Sequence, residues 1–315
     1  MSVPVAVSLA ELRSPLEKSY RNTVYCAGTL EQDASGKLRG HYCGNRWCLV
    51  CNRIRIARAI NRYLPVIAAW SEPQLVTLTL PNVKAEELAV TIRDMLRDLV
   101  AIGRAVRRTD KLTLRALRKI ECTCNAERDD YHPHFHIAVE GREAAEAILR
   151  RWLELHPDAS PVAQDIRRCD ANSLKELFKY FTKLLAKRPS PGSPRAIAPP
   201  AALDAIFSAM VGRRVYQPMG FKVAATPTQD ENAEVGKAGD TTAPTRRGER
   251  VLWGWMQELH DWVDLVTGDV LSGYEPTEAY TQLVHSISPG DTAFPRTRCG
   301  ASAGLWAGVS GVSGV

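Results

Sequence analysis

The stretch Tyr131-His132-Pro133-His134-Phe135-His136-Ile137-Ala138-Val139 holds three of the chain's seven histidines within five residues. In an extended strand alternate side chains share a face. His134 and His136 therefore project together with His132, while Phe135 and Ile137 turn to the opposite side and lead into a core. Two imidazoles about 7 Å apart on one sheet face can chelate a metal ion. Without further ligands the same pattern describes two solvent-facing histidines on a half-exposed strand.

Two histidines seldom hold a divalent ion unaided, so a carboxylate is expected close by. Glu121 is the candidate: it lies on a strand around 119–124 that pairs with the histidine strand across a polar turn at 126–130. Glu121 and Thr123 share a face, with Cys122 and Cys124 on the other. Cross-strand Cβ atoms lie about 5 Å apart, which brings Glu121 within reach of an ion held by His134 and His136. Two histidines and one carboxylate suit Mn²⁺ and tolerate Mg²⁺. Asp129 and Asp130 are rival ligands in the turn, and His132 is either a third ligand or a group that hydrogen-bonds a ligand or the substrate.

Outward from this hairpin, Gln74–Leu80 reads as an alternating strand ended by Pro81-Asn82, and residues 84–108 as a long amphipathic helix. Residues 1–40 are mixed and polar, with a turn signal at 33–36. Helices are expected over 143–156 and 174–187, with a strand near 162–166. Residues 188–200 are Pro/Ser-rich, and 224–250 lack apolar periodicity. Residues 251–266 return to helical spacing through Leu252, Trp255, Leu259, Trp262 and Val263. The expected organisation is an N-terminal region over 1–70, a principal domain over 71–222, a disordered linker over 223–250, and a C-terminal helix and flexible tail over 251–315.

The helix beginning near Asn172 carries a second signal. Leu174, Leu177, Phe178, Phe181, Leu184 and Leu185 form one apolar stripe, and Glu176, Tyr180, Lys183 and Lys187 lie opposite. Tyr180 thus stands one turn after a carboxylate and one turn before an ammonium group. A nearby Lys⁺ stabilises a phenolate, whose free pKa is about 10, and an attacked phosphate. The structural alternatives are an amphipathic surface tyrosine and, for Glu176, a capping box with Ser173 as N-cap.

His41-Tyr42-Cys43 and Cys48-Leu-Val-Cys51 give Cys-x₄-Cys-x₂-Cys with a histidine two residues before. Three soft ligands at this spacing suggest tetrahedral zinc, with His41 or Cys26 as the fourth. Cys122, Cys124, Cys169 and Cys299 read as packing cysteines.

The chain has 315 residues, 45% hydrophobic and 24% charged, enough for one large domain with appendages. No run reaches the roughly 18 apolar residues that a membrane span needs, and the start lacks a signal-peptide pattern. A cytoplasmic protein is therefore expected, and in that compartment clustered cysteines bind metal rather than pair. The net charge of +6 suits a polyanionic partner. Nine Lys/Arg against three Asp between Arg93 and Lys119, including Arg107 and Arg108, make one basic stretch. Arg53, Arg55, Arg58 and Arg62 form a second, next to the cysteines. Both are candidate DNA contacts or solvated helix faces.

Together these pieces resemble the HUH endonucleases, and among them the single-tyrosine rolling-circle plasmid replication initiators (Rep proteins). Leu75-Val-Thr-Leu-Thr79 is similar to the family's first motif. Glu121-Cys-Thr-Cys-Asn125 with Tyr131-His-Pro-His-Phe-His136 is similar to its second, and Glu176-Leu-Phe-Lys-Tyr180-Phe-Thr-Lys183 to its third. Arg213–Lys222 is similar to the segment that closes the catalytic domain. The resemblance covers roughly residues 41–222. Leu75 stands where the family has an aromatic, and cysteines occupy 122 and 124.

The resemblance implies an α+β, ferredoxin/RRM-like domain with a central antiparallel sheet, preceded by a small Cys-rich zinc knuckle. It implies a divalent ion, Mn²⁺ or Mg²⁺, on Glu121, His134 and His136 that polarises the scissile phosphate of single-stranded origin DNA. Tyr180 is the implied nucleophile, giving a 5′-phosphotyrosine and a free 3′-OH, with Lys183 assisting electrostatically. Glu176 is the implied activator of water or the incoming strand at termination. Host helicase and polymerase are the implied partners, and a plasmid or other mobile element of a bacterium or archaeon the implied source. An HUH transposase shares many of these features, and a non-catalytic zinc-dependent DNA-binding regulator would use the cysteines but not Glu121 or Tyr180.

Overall fold

In the computed structural model the histidine stretch is a strand, and its hairpin partner lies in the expected register. Described are residues 2–33, 36–170, 173–174, 177–178, 198–223, 241–242, 251–256 and 261–271. They form an α+β structure with two antiparallel sheets.

The principal sheet contains β3 (Pro73–Thr79), β4 (Ala116–Asn125), β5 (Asp130–Glu140), β6 (Asp165–Arg168) and β7 (Tyr216–Met219), in the order β6-β3-β5-β4-β7. Asn125 closes the β4–β5 turn by accepting the N–H groups of Glu127 and Arg128 at 3.0 and 3.3 Å. This side-chain mimic of a backbone turn sets the pairing, with Lys119 opposite His136, Glu121 opposite His134 and Thr123 opposite His132. The expected strand near 162–166 is a 3₁₀ turn over Pro161–Ala163, and β6 begins only at Asp165. Pro161 has no N–H to give to a ladder, which favours the turn.

Two helices cover one face of this sheet: α4 (Ala85–Arg108) follows β3 and α5 (Arg142–Leu155) follows β5. Leu88, Ile92, Met95 and Leu99 of α4 and Trp152 of α5 meet Val76, Leu78, Ile120, Phe135, Ile137 and Val139, all buried. The start of α4 is tied to the hairpin, since Lys84 Nζ donates to the carbonyls of Arg128 and Asp129 at 2.9 and 3.0 Å. Cys122 is buried in the same core, as a packing cysteine should be.

The other face is divided. At one end Ala59, Tyr63 and Ile67 of α3 (Leu49–Ala68) pack with Leu177, Phe178 and Tyr216 on Leu75, Leu117 and Ala138. The other end carries Thr77, Thr79, Lys119, Glu121 and the histidines.

The N-terminal region is more regular than its mixed composition suggests. Helices α1 (Ser2–Glu11) and α2 (Glu17–Val24) join the core with α6 (Pro200–Ala209), and Asp204 accepts hydrogen bonds from Tyr20 Oη at 2.6 Å and Ser14 Oγ at 2.7 Å. A hairpin of β1 (Thr29–Gln32) and β2 (Lys37–Gly40) surrounds the turn signal at 33–36.

That hairpin belongs to the second sheet, of order β10-β9-β1-β2-β8, which also holds β8 (Thr241–Thr242), β9 (Val251–Met256) and β10 (Asp261–Asp264). The helix expected over 251–266 is therefore two strands. Its apolar residues fit a helical period, but Trp253 alone of β9 is buried, while Leu252, Trp255 and Met256 are exposed. β-Branched and aromatic residues favour this state once a partner is present, and β1 supplies the partner along residues 29–32. The segment read as a separate C-terminal helix thus completes the sheet beside the cysteines.

Candidate metal centres

On the polar end of the principal sheet, β4 and β5 bring three candidate ligands together. One ligand atom each from Glu121, His134 and His136 lies within 4.8 Å of the others. Glu121 Oε2 is 3.4 Å from His134 Nε2 and 3.8 Å from His136 Nε2. All three residues are buried, as a site built on strands rather than a loop requires.

Each imidazole is oriented from behind. His134 Nδ1 is 3.0 Å from the His132 carbonyl, and His136 Nδ1 is 3.3 Å from Thr77 Oγ1 on β3. With Nδ1 so engaged, Nε2 of each ring points to the carboxylate. The donor set fits a hard or borderline divalent ion. His132 lies outside the converging group and stacks on His134, with ring centroids 4.9 Å apart. Asp129 and Asp130 are not part of it; Asp130 pairs instead with Arg128 and Asn82.

Lys119 was not foreseen. It is fully buried, stands opposite His136 on the same face, and its ammonium donates to Glu121 Oε1. The available signal was parity, since residues 119, 121 and 123 alternate with Ile120 and Cys122. Burial pushes the Glu121 carboxyl up, but the hydrogen bond to His134 and the charge of Lys119 outweigh it and hold the pKa at about 2.

The second centre is made of cysteines. The Sγ atoms of Cys26, Cys43, Cys48 and Cys51 lie within 4.8 Å of one another. Cys26 and Cys43 are 3.5 and 3.6 Å from Cys51. Four sulfurs tetrahedrally placed around zinc would be about 3.8 Å apart, so the cluster fits that ion. Of the two fourth-ligand candidates, Cys26 is in the group and His41 is not. Their shared hydrogen bonds split the thiols: Cys43 and Cys48 are held low chiefly by Cys26, and Cys26 is pushed up chiefly by Cys43.

The basic stripes fare unequally. Arg53 is exposed and Arg58 half-buried, but Arg55, expected on the same face, is buried at 8% exposure. It follows Cys51 by one helical turn on the inward side of α3, and its Nη2 donates to the Gly44 carbonyl at 2.8 Å. Arg55 thus clamps the loop between Cys43 and Cys48. Arg107 and Arg108 are exposed in the last turn of α4, where positive charge also complements the helix dipole.

Tyr180, Lys183 and Glu176 lie outside the described residues. Just before them, Ser173 N–H donates to Asp170 Oδ1 at 2.7 Å. Asp170, not Ser173, therefore takes the capping role expected of a residue at the helix start. Leu177 and Phe178 are buried against Tyr216, whose hydroxyl donates to the Leu177 carbonyl at 3.2 Å. Tyr216 is the cross-strand neighbour of Lys119. No described helix is long and apolar enough to cross a membrane.

Comparison with known proteins agrees with this arrangement. A family model described as "Replication protein" matches residues 36–141, a span that includes three of the four cysteines and all of the Glu/His group. A protein rep of Staphylococcus aureus is 29% identical over 167 residues, 46% of this chain and 71% of the relative. A protein rep of Streptococcus pneumoniae is 29% identical over 139 residues, 39% of this chain and 43% of the relative. A third, from Bacillus sp., is 29% identical over 123 residues, 35% of this chain and 38% of the relative. The aligned part is thus under half the length of the latter two. No solved structure matches. Over residues 36–141 this chain is thus similar to a family of replication proteins, and the relatives it resembles are bacterial proteins rep.

Proposed function

We propose that this protein initiates rolling-circle replication by nicking and rejoining one strand of a plasmid origin through a covalent tyrosine intermediate. The observation that carries the reading is the convergence of Glu121 Oε2 with Nε2 of His134 and His136 on strands β4 and β5. The succession β3-α4-β4-β5-α5-β6, with strand order β6-β3-β5-β4, supports a ferredoxin-like domain.

Glu121, His134 and His136 would hold Mn²⁺ or Mg²⁺, and that ion supplies Lewis-acid polarisation of a phosphoryl oxygen. Tyr180, two residues after Phe178, which packs on Tyr216, the cross-strand neighbour of Lys119, would be the nucleophile. In the nicking step the Tyr180 Oη–P bond forms and the P–O3′ bond breaks. The phenolic proton is balanced by the one gained at the released 3′-OH, which primes synthesis. Lys183 offsets phosphate charge, and Glu176 activates the nucleophile for the reverse transfer at termination. The cysteine centre would hold Zn²⁺, and Arg53, Arg58, Arg107 and Arg108 would contact DNA phosphates. A replication protein acts on DNA; host helicase and polymerase would follow the nick in the bacterial cytoplasm.

The test uses labelled single-stranded oligonucleotides tiled across the DNA that carries the gene, with Mn²⁺. A covalent adduct is expected with the intact chain and none with Tyr180→Phe or the His134→Ala/His136→Ala double variant. Absence of any adduct, or an adduct that persists in Tyr180→Phe, overturns the nicking mechanism.

A further inference from the structure

Lys119 presents a buried ammonium inside the Glu/His group, where an added cation would meet a resident one. Its relative exposure is 0%, and it lies on β4 two residues before Glu121 and opposite His136. A buried charge is tolerated only with a close counter-charge. Glu121, itself 2% exposed, provides it by accepting the ammonium's hydrogen bond on Oε1. The other oxygen, Oε2, faces His134 Nε2 and His136 Nε2 at 3.4 and 3.8 Å.

We propose that Lys119 is a positioning residue that sets the strength of the divalent-ion centre. It occupies one oxygen of Glu121, so the carboxylate offers a single oxygen to an ion, and its charge keeps that ion loosely held and exchangeable. The proposal rests on the reading above, that Glu121, His134 and His136 hold such an ion. With neutral imidazoles, the carboxylate and the ammonium cancel, so the cage carries no net charge to hold the ion. Without the lysine the same cage carries one negative charge.

Two effects of removing the lysine oppose each other. Loss of the hydrogen bond frees the Glu121 side chain, and re-ordering it costs on the order of tenfold in affinity. Loss of repulsion between an ammonium and a doubly charged ion a few ångströms away gains on the order of a hundredfold or more. Repulsion wins, and the lysine-free centre binds tighter. A lysine that acted only by holding Glu121 through its hydrogen bond predicts the opposite sign, and one that only fills space predicts no change.

The experiment titrates Mn²⁺ into the full chain, its cysteines saturated with Zn²⁺, and reads free Mn²⁺ by electron paramagnetic resonance. Lys119→Met is expected to bind Mn²⁺ about tenfold tighter than the unchanged protein. Lys119→Arg, which keeps the charge, is expected to stay within roughly threefold of it. If Lys119→Met folds only with the ion, the comparison is made on thermal midpoints, and Mn²⁺ is expected to raise that of Lys119→Met more than that of Lys119→Arg. Equal or weaker binding by Lys119→Met, or an equal midpoint shift, overturns the role of Lys119. Mn²⁺ binding that is unchanged in Glu121→Gln and in His134→Ala would overturn the metal centre itself, and the proposed function with it.

Discussion

The indole Nε1 of Trp262 donates to the carbonyl of Ala27 at 2.8 Å, joining a strand near the chain's far end to the residue beside the zinc-ligand candidate Cys26. Ala27 is buried and holds the left-handed conformation with φ of 57°. For a residue with a Cβ this is a strained state that needs support from its surroundings. Its own N–H donates to the His41 carbonyl at 2.8 Å, and Trp255 N–H takes the Gly28 carbonyl at 2.8 Å. Strands β9 and β10 therefore brace the loop that presents Cys26. Trp262→Phe keeps an aromatic ring but orphans the Ala27 carbonyl, at a cost of about 1–2 kcal/mol. Zinc is expected to pass to a chromogenic chelator faster from this variant, and an unchanged release rate would sever the hairpin from the metal centre.

The choice between Cys26 and His41 can be read from zinc content. Cys26→Ser removes one of the four converging thiols. It is expected to lower bound zinc well below one per chain and reduce thermal stability, because folding and structural zinc binding are coupled. His41→Ala is expected to retain zinc, and loss of zinc in that variant would restore histidine as the fourth ligand. Stoichiometry by atomic emission, with thermal unfolding before and after chelation, measures both.

His156, just after α5, packs against Trp152 with rings tilted by 47° and centroids 4.2 Å apart, and its Nε2 is 3.5 Å from Asp98 Oδ2. Burial lowers its pKa below the usual histidine value, against the opposing pull of Asp98. A base with a lowered folded pKa is neutral in the fold, and the unfolded chain takes up the proton first. Its contribution is thus fully present above about 6.5 and is lost as pH falls toward the folded value. His156→Gln should flatten the decline in unfolding midpoint below pH 6.5. An unaltered decline would show that another group carries it.

Gly220 has φ of 75°, and a Cβ there would come within 1.6 Å of the Leu114 carbonyl oxygen. The clash is with backbone at the edge of β4, so it cannot be relieved by a side-chain rotation. Gly220→Ala is expected to cost roughly 3 kcal/mol or more. Denaturant unfolding of the purified variant would show this, and a loss under about 1 kcal/mol would mean that the β7 exit is free to shift.

The centre of the fold was legible because strand parity is a local property. Alternation placed Glu121, His134 and His136 on one face and Phe135, Ile137 and Cys122 on the other, and the pairing of β4 with β5 bears this out. Spacing also located α4 and α5 to within a residue or two. The same parity applies to Lys119 but did not mark it for the site, because a lysine on a strand reads as solvent-facing until its neighbours are known. Residues 251–266 misled because a few apolar residues satisfy both a helical and a strand period over so short a span.

By itself the sequence determined the ligand chemistry: which residue types stand at alternate strand positions, which cysteines cluster, and which helix faces are apolar. These follow from the fixed geometry of strand and helix and require no knowledge of distant segments. Only the tertiary structure decided that Cys26 rather than His41 joins Cys43, Cys48 and Cys51, that Arg55 turns inward to the knuckle loop, and that Lys119 is buried on Glu121. It also decided that β9 is a strand, because β1 offers its free edge to a segment more than two hundred residues away in sequence. Such pairings depend on which surfaces are brought together and dried. Burial turns a lysine from a solvated surface charge into the counter-ion of a buried carboxylate.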